Sequence, residues 1–258
     1  MNAKDVIHEV ANALFFEFDT EALSRLLTED YIQHNPGVPT GKAALLGVAP
    51  ALASADFKTT VHRVIAEDDL VVVHSTFDNA DLFGAPTLVS FDVFRVENGK
   101  AAEHWDNLQP PPATTPSGRS MTDGPTQVVD LNKTEANKAL VQGFIDDVFL
   151  AGRLEKAADY IVSEPGAYQQ HNPGVADGLD KLGEAFATMQ QAGNAFSFSK
   201  LHRIIAEGNF VFTMTEGAVG ATPSAFFDLW RVEDGRIVEH WDTISAIPDE
   251  MAHNNGKF

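Results

Sequence analysis

The sequence predicts an α+β protein built from two tandem copies of one domain. Three blocks of residues recur in the same order in both halves, and each half passes from helical spacing into a run of strands. At 258 residues the chain also has about twice the length of an ordinary domain.

The first block, Tyr31-Ile-Gln-His34-Asn35-Pro36-Gly37-Val38, returns as Tyr168-Gln-Gln-His171-Asn172-Pro173-Gly174-Val175. The second, Val61-His62-Arg63-Val64-Ile65-Ala66-Glu67, returns as Leu201-His202-Arg203-Ile204-Ile205-Ala206-Glu207. The third and longest runs from Phe91 to Asp106 and again from Phe227 to Asp242, each with Phe-Asp, Arg-Val-Glu and a closing Glu-His-Trp-Asp. The spacing between copies drifts by a few residues from block to block, so loops differ in length while elements correspond.

Each copy opens with helices. Val6, Val10, Leu14 and Phe18 recur about every four residues, and Thr20 to Leu27 continues as a second short helix. In the second copy Thr134-Glu-Ala-Asn137 offers N-cap chemistry ahead of Leu140, Phe144 and Val148. Gly41 to Ala53 and Leu179 to Gln191 read as third helices. Strands follow in the first copy at Lys58 to Ala66, Leu70 to Phe77, Leu88 to Val96 and Ala101 to Leu108, with equivalents in the second. Helices followed by a strand meander predict a sheet that curls around the helices and leaves a cavity between them. Residues 111–132 are rich in Pro, Gly, Ser and Thr and read as a connector, which gives domains at 1–110 and 133–258.

Composition narrows the function. A net charge of −19 repels phosphate backbones and anionic lipid, so neither nucleic acid nor a membrane is expected as a partner. No run reaches the ~18 apolar residues of a membrane span. With no cysteine there is no disulfide, thiolate metal site or cysteine nucleophile. The opening residues carry no apolar stretch of the secretory kind, so the cytoplasm is the expected compartment.

The closing hairpin of each copy carries the chemistry, at Asn98-Gly99 and Asp234-Gly235. Two turn geometries fit. A two-residue turn pairs Glu97 with Lys100, sets Asp92 opposite Trp105 and sends Asp106 to the other face. A turn with Gly99 as a left-handed bulge residue pairs Val96 with Lys100 and sets Asp92 opposite His104. The bulge register is favoured, because it gathers Asp92, Phe94, His104 and Asp106 on one face, where a carboxylate can orient an imidazole; Phe91, Val93, Arg95 and Trp105 take the other. The second copy would gather Asp228, Trp230, His240 and Asp242 in the same way. Tyr31, His34 and Asn35 lie where a helix hands over to a Pro-Gly turn, a plausible cavity rim, as do Tyr168, His171 and Asn172. Parity places His62 and His202 on the face opposite Arg63 and Arg203. His34, His62, His74, Asp92 and His104 could supply metal ligands, but no pair has the close spacing of a metal motif and His74 becomes Met214 in the second copy, so no metal is expected. No phosphate-binding loop, dinucleotide fingerprint or nucleophile elbow is present.

Taken together, the three blocks resemble the SnoaL-like polyketide cyclases of the nuclear transport factor 2-like superfamily, over both halves and excluding only the connector. The resemblance implies cone-shaped domains, with three helices wrapped by a curved, mixed and mostly antiparallel sheet around a buried pocket. It implies pairing through sheet faces, which a tandem chain could satisfy as an intramolecular pseudo-dimer, with further homo-oligomers open. It also implies aldol ring closure by an acid/base pair without metal or cofactor. By the motif Asp106 and Asp242 match the family's acid/base, while Asp92 and Asp228 stand where the antibiotic cyclases place His, which leaves the substrate open. The superfamily also holds isomerases, dehydratases, epoxide hydrolases and binding modules.

The expectation is a cofactor-independent enzyme for a small carbonyl compound. Asp106 and Asp242 are the expected bases, His104 and His240 hold the proton, and Tyr31 and Tyr168 steady an enolate. His34, Asn35, His62, His74, Phe94, His171, Asn172, His202 and Trp230 are expected to line the pockets. The rivals are a non-catalytic ligand-binding module and a tandem in which only one copy is active.

Overall fold

The computed structural model describes residues 1–258 and divides into two compact units. The first comprises Met1–Pro110 with Pro248–Phe258, the second Pro111–Ile247. Each is an α+β unit with one mixed five-stranded sheet.

In the first unit, helix α1 (Ala3–Ala11) starts on a capping box, in which Asn2 accepts from the Asp5 amide and Asp5 accepts from the Asn2 amide. It buries Val6, Ile7 and Val10, then widens into a π-helical turn over Asn12–Phe16. Helix α2 (Thr20–Leu26) is capped by Asp19, whose Oδ1 accepts from the Glu21 and Ala22 amides. Strand β1 (Leu27–Gln33) follows directly, then α3 (Lys42–Ser54) and the strands β2 (Lys58–Glu67), β3 (Leu70–Asp78), β4 (Thr87–Glu97) and β5 (Lys100–Gln109). The sheet order is β1-β5-β4-β3-β2, with β1 parallel to β5 and the rest antiparallel. Val6, Val10 and Leu14 from the helices pack with Val71, Val73, Phe77 and Phe94 of the sheet.

The second unit repeats this with α4 (Thr134–Phe144) and a π-helical turn at Ile145–Leu150, α5 (Ala157–Tyr160), β6 (Gln169–Gln170), α6 (Leu179–Gln191), β7 (Phe196–Glu207), β8 (Phe210–Val219), β9 (Thr222–Glu233) and β10 (Arg236–Ala246). Its order is β6-β10-β9-β8-β7. Thr134 and Asn137 do not cap α4. Thr134 Oγ1 accepts from the Gly208 amide and Asn137 Nδ2 donates to Gly208 O, so both side chains clamp the turn between β7 and β8.

Three features differ from the sequence reading. Tyr31 lies in a strand, not at a helix-to-loop junction: β1 pairs with β5 at Leu27, Ile32 and Gln33. The connector is folded onto the second unit, where Arg119 pairs with Asp177 and Val129 bonds Asn209. The residues after β10 belong to the first unit, where the Ala252 amide donates to Pro36 O. No helix is long and apolar enough to cross a membrane.

Candidate functional site

The constellation sits on the β4–β5 hairpin, and two local irregularities build it. Asn98 and Gly99 both have positive φ (51° and 75°), so the turn is the two-residue type and Glu97 pairs with Lys100. Continued without interruption, that register would set Asp92 opposite Trp105. One extra residue, Ala102, lies between Ala101, which pairs with Val96, and Glu103, which pairs with Arg95. This bulge shifts the rest of the ladder by one, and Phe94 then faces His104 while Asp92 faces Asp106. The second copy repeats both devices, with Asp234 and Gly235 in the turn and Val238 as the extra residue, so Trp230 faces His240 and Asp228 faces Asp242. The expected face is therefore correct, but the bulge is at Ala102 and Val238 rather than at the glycines, and Asp92 opposes Asp106 rather than His104.

In the first unit this face looks onto a narrow cavity. Asp92, His104 and Asp106 share its polar end with Gln33 and Asn35, and Leu14, Phe15, Leu45, Val48 and Phe77 supply apolar walls. The second cavity is of similar size, and Asp228, His240 and Asp242 share its polar end with Gln170, Asn172 and Tyr168. Its walls are more aromatic, with Phe144, Phe149, Phe186, Phe198, Phe226 and Trp230. Such small, mostly apolar pockets with a few convergent polar groups suit small ligands.

Gln33 orders the first site. Its Oε1 accepts from the His34 and Asn35 amides and meets His104 Nδ1 at 2.9 Å. A carboxamide oxygen only accepts, so Nδ1 carries the hydrogen and Nε2 faces Asp92 Oδ1 at 3.0 Å. Asn35 Nδ2 donates to Asp106 Oδ2 and its Oδ1 accepts from Gly37 N, which fixes the carboxamide the right way round. Gln170, His240, Asp228, Asn172 and Asp242 reproduce this arrangement. One carboxylate oxygen of each base candidate, Oδ1 of Asp106 and of Asp242, is buried without a hydrogen-bond partner.

Burial dominates the electrostatics. It raises Asp92 against the opposing hydrogen bonds from His104 and Ser90. In the second copy it raises Asp228 well above the usual carboxylate range, raises Asp242 to about 6 with help from Asp228, and lowers His240 to about 4. Tyr31 and Tyr168 are pushed well above 10 by burial and then by the nearby aspartates, so both hydroxyls stay protonated. Ligand atoms of Asp92, His104 and Asp106 lie within 4.8 Å of one another, as do those of Asp228, His240 and Asp242, close enough to share a metal ion.

Several expected residues lie elsewhere. Tyr31 is buried in the core beneath the site, and Phe94 stacks on His104 at 4.4 Å from within the core; neither forms cavity wall. His34 and His171 turn away to stack on Trp105 and Trp241, with Nε2 against Glu103 and Glu239. His74 stacks on Phe91 on the opposite face and meets Arg63 Nη1 at 3.1 Å. His62 and His202 fall in bulges of β2 and β7, which cancel the expected alternation with Arg63 and Arg203. They bond Thr76 and Glu216, residues on the same face as His74 and Met214. Three participants had not been singled out from the sequence. Gln33 and Gln170 are identical in both copies, which was their signal; Lys257, whose Nζ donates to Asp106 O at 2.6 Å, had none.

A family model described as the SnoaL-like domain matches residues 9–104 and again residues 141–240. No curated protein matches the chain. Among solved structures, TsrD from Streptomyces laurentii is 24% identical and covers 41% of this chain and 87% of its own, with a TM-score of 0.35. Wild-type IdmH from Streptomyces antibioticus is 22% identical over 42% of this chain and 93% of its own, with a TM-score of 0.37. An LEH-like epoxide hydrolase from M. tuberculosis is 19% identical over 42% and 82%, with a TM-score of 0.35.

Proposed function

The chain belongs to the SnoaL-like domain family, and on that premise we propose that its two pockets are acid/base sites for a small carbonyl compound, working without a bound cofactor. The observation that carries this reading is that Oδ1 of Asp106 and of Asp242 accepts no hydrogen bond at the polar end of an otherwise apolar cavity, with Lys257 Nζ 3.7 Å from the first. Buried polar atoms are nearly always satisfied, so an orphaned carboxylate oxygen beside empty space is a place for a proton from a ligand.

In this reading Oδ1 takes the proton from the carbon next to a carbonyl, leaving an enolate and a carboxylic acid. Asn35 or Asn172 holds the other oxygen, so the base keeps its aim. The adjacent dyad, His104 with Asp92 or His240 with Asp228, lends a proton to the oxygen that becomes negative. In an aldol closure the enol carbon bonds a second carbonyl of the same molecule, the first carbonyl re-forms and returns its proton to the dyad, and the resulting alkoxide takes the proton held by Asp106 or Asp242, which restores both groups. Tyr168 lines its cavity and can donate to an oxyanion; the buried Tyr31 hydroxyl does not reach one.

Incubating the full chain in D2O with a panel of cyclic and acyclic 1,3-dicarbonyl compounds, followed by proton NMR, tests the proposal. Loss of the α-proton signal faster than in buffer supports it. Binding of panel members with no acceleration of exchange overturns it in favour of a ligand-binding module.

A further inference from the structure

The segments that follow the two hairpins are equivalent in sequence and in use. The spacing that separates Asp106 from Asp242 also separates Arg119 from Asn255, Ser120 from Gly256 and Met121 from Lys257. In the second unit Ser120 O meets His171 Nδ1 at 2.7 Å, and Arg119 grips Asp177, whose Oδ1 accepts from the Gln170 amide. In the first, Gly256 O meets His34 Nδ1 at 2.9 Å, and Asn255 Nδ2 donates to Thr40 Oγ1, which accepts from the Gln33 amide. Each hairpin is therefore followed by a segment that belongs to the other unit.

In the first unit this segment also takes hold of the site. Three of its residues, each two apart, bond main-chain carbonyls of the residues that build the polar end of the cavity. His253 Nε2 donates to Asn35 O at 2.9 Å, Asn255 Nδ2 to Gln33 O at 2.9 Å and Lys257 Nζ to Asp106 O at 2.6 Å. A carbonyl only accepts, so Nε2 carries the His253 hydrogen and Nδ1 is left to accept from the Asn255 amide at 3.3 Å. The three carbonyls lie where β1 leaves the sheet. β1 is an edge strand, paired with β5 as far as Gln33 opposite His104. His104 O accepts from the His34 amide, and Asp106 O, two residues on, points to the same edge, where Lys257 supplies the donor in place of a strand.

We propose that residues 248–258 are a positioning segment of the first site: His253, Asn255 and Lys257 fix the main chain from which Asn35, Gln33 and Asp106 reach into the cavity, so the chemistry of the first pocket depends on the segment that follows the last strand of the second copy. This rests on the reading of Asp106 as the base. The need for such a segment follows from what it holds. Gln33 Oε1 sets His104 and Asn35 Nδ2 sets Asp106, yet both side chains start from the end of an edge strand and the turn after it. A shift of about 1 Å there carries the base out of line with its proton. In the second unit Met121 is buried at the place of Lys257, and its side chain has no hydrogen to donate to the Asp242 carbonyl. The first pocket is thus the one whose aim is tied to a distant part of the chain.

NMR of the full chain with 15N-labelled histidine reads the arrangement without any substrate, and His240 serves as a reference within the same molecule. In the folded double variant His253→Ala/Asn255→Ala, the His104 ring signals should shift or broaden as the bond from Gln33 loosens, while those of His240 stay in place. Lys257→Met gives the first segment the residue of the second. In an Asp242→Asn background it should lower kcat for dicarbonyl exchange about tenfold or more with KM little changed, a split that a loss of stability alone does not produce. Unmoved His104 signals, His104 and His240 moving alike, or an unchanged kcat in an active chain overturns the proposal. If the double variant does not fold, Asn255→Ala alone is read in the same way. A selective His104 response in a chain that catalyses no exchange would sink the acid/base function and leave the segment's hold on the pocket standing.

Discussion

Asp228 and Asp242 are direct cross-strand partners on the cavity face of the β9–β10 hairpin, as Asp92 and Asp106 are on β4–β5. Like charges directly opposite one another destabilise a sheet, and these are at most 5% exposed. Their presence in both copies is a cost to the fold, offset only if the groups hold protons, donors or substrate.

The second pair should leave a signature in the pH dependence of stability. Asp242 is raised from 3.8 to about 6, so its contribution is present below about 4 and is lost as pH rises through 6. His240 is lowered from 6.5 to about 4, so its contribution is present above 6.5 and is lost as pH falls through 4. Between about 4 and 6 the two oppose each other. Asp242→Asn removes one side of the balance, and its unfolding free energy should climb with pH more steeply than wild type by about 1.4 kcal/mol per pH unit. Urea unfolding at several pH values measures the difference, and parallel curves would contradict it.

Gln33 sets the tautomer of His104 as well as holding backbone amides. Gln33→Leu should cost roughly 1–3 kcal/mol through the buried donors it abandons. It should also release His104 from the Nδ1–H form, read by 15N NMR of the imidazole. A stable variant with an unchanged tautomer would show that another group orients the ring.

The bulge residue can be removed. Deleting Ala102 makes Glu103 follow Ala101, so the ladder runs unbroken from the turn with Arg95 still opposite Glu103, Phe94 opposite His104 and Asp92 opposite Asp106. The first unit should therefore keep its cooperative unfolding transition, whereas one alanine inserted between Glu103 and His104 sets Trp105 opposite Asp92, takes His104 and Asp106 off the cavity face and should abolish it. An insertion variant that melts like wild type would refute this register.

Phe149 and Phe198 stack at 4.0 Å and border both the second cavity and an adjoining depression of about 770 Å³. Phe198→Ala should join the two spaces at a cost of about 1–3 kcal/mol, below that of a fully buried ring. Increased fluorescence of the dye 8-anilinonaphthalene-1-sulfonate in the folded variant would show the opening, and unchanged uptake would argue that the partition lies elsewhere.

The duplicated blocks made the tandem α+β organisation legible, because hydrophobic period and turn residues are local signals. Asp92, His104 and Asp106 were legible as a set through recurrence, yet their common face depends on an extra Ala102 that no residue type announces. The bulges at His62 and His202 defeated parity for the same reason. Strand β1 was missed because Thr28, Glu29 and Asp30 read as polar and it joins the sheet through a distant parallel partner. Lys257 reaches Asp106 across 151 residues, and only the folded chain brings them together.

The base assignment is tested most directly by measuring exchange of an active 1,3-dicarbonyl probe in D2O with Asp106→Asn, Asp242→Asn and the double variant, each confirmed folded. Each single variant should lose the exchange supported by its own pocket, and the double variant should fall by about 10²–10⁴-fold from wild type, the usual worth of a positioned general base. A folded double variant that exchanges the probe at the wild-type rate would contradict the assignment of Asp106 and Asp242 as the bases.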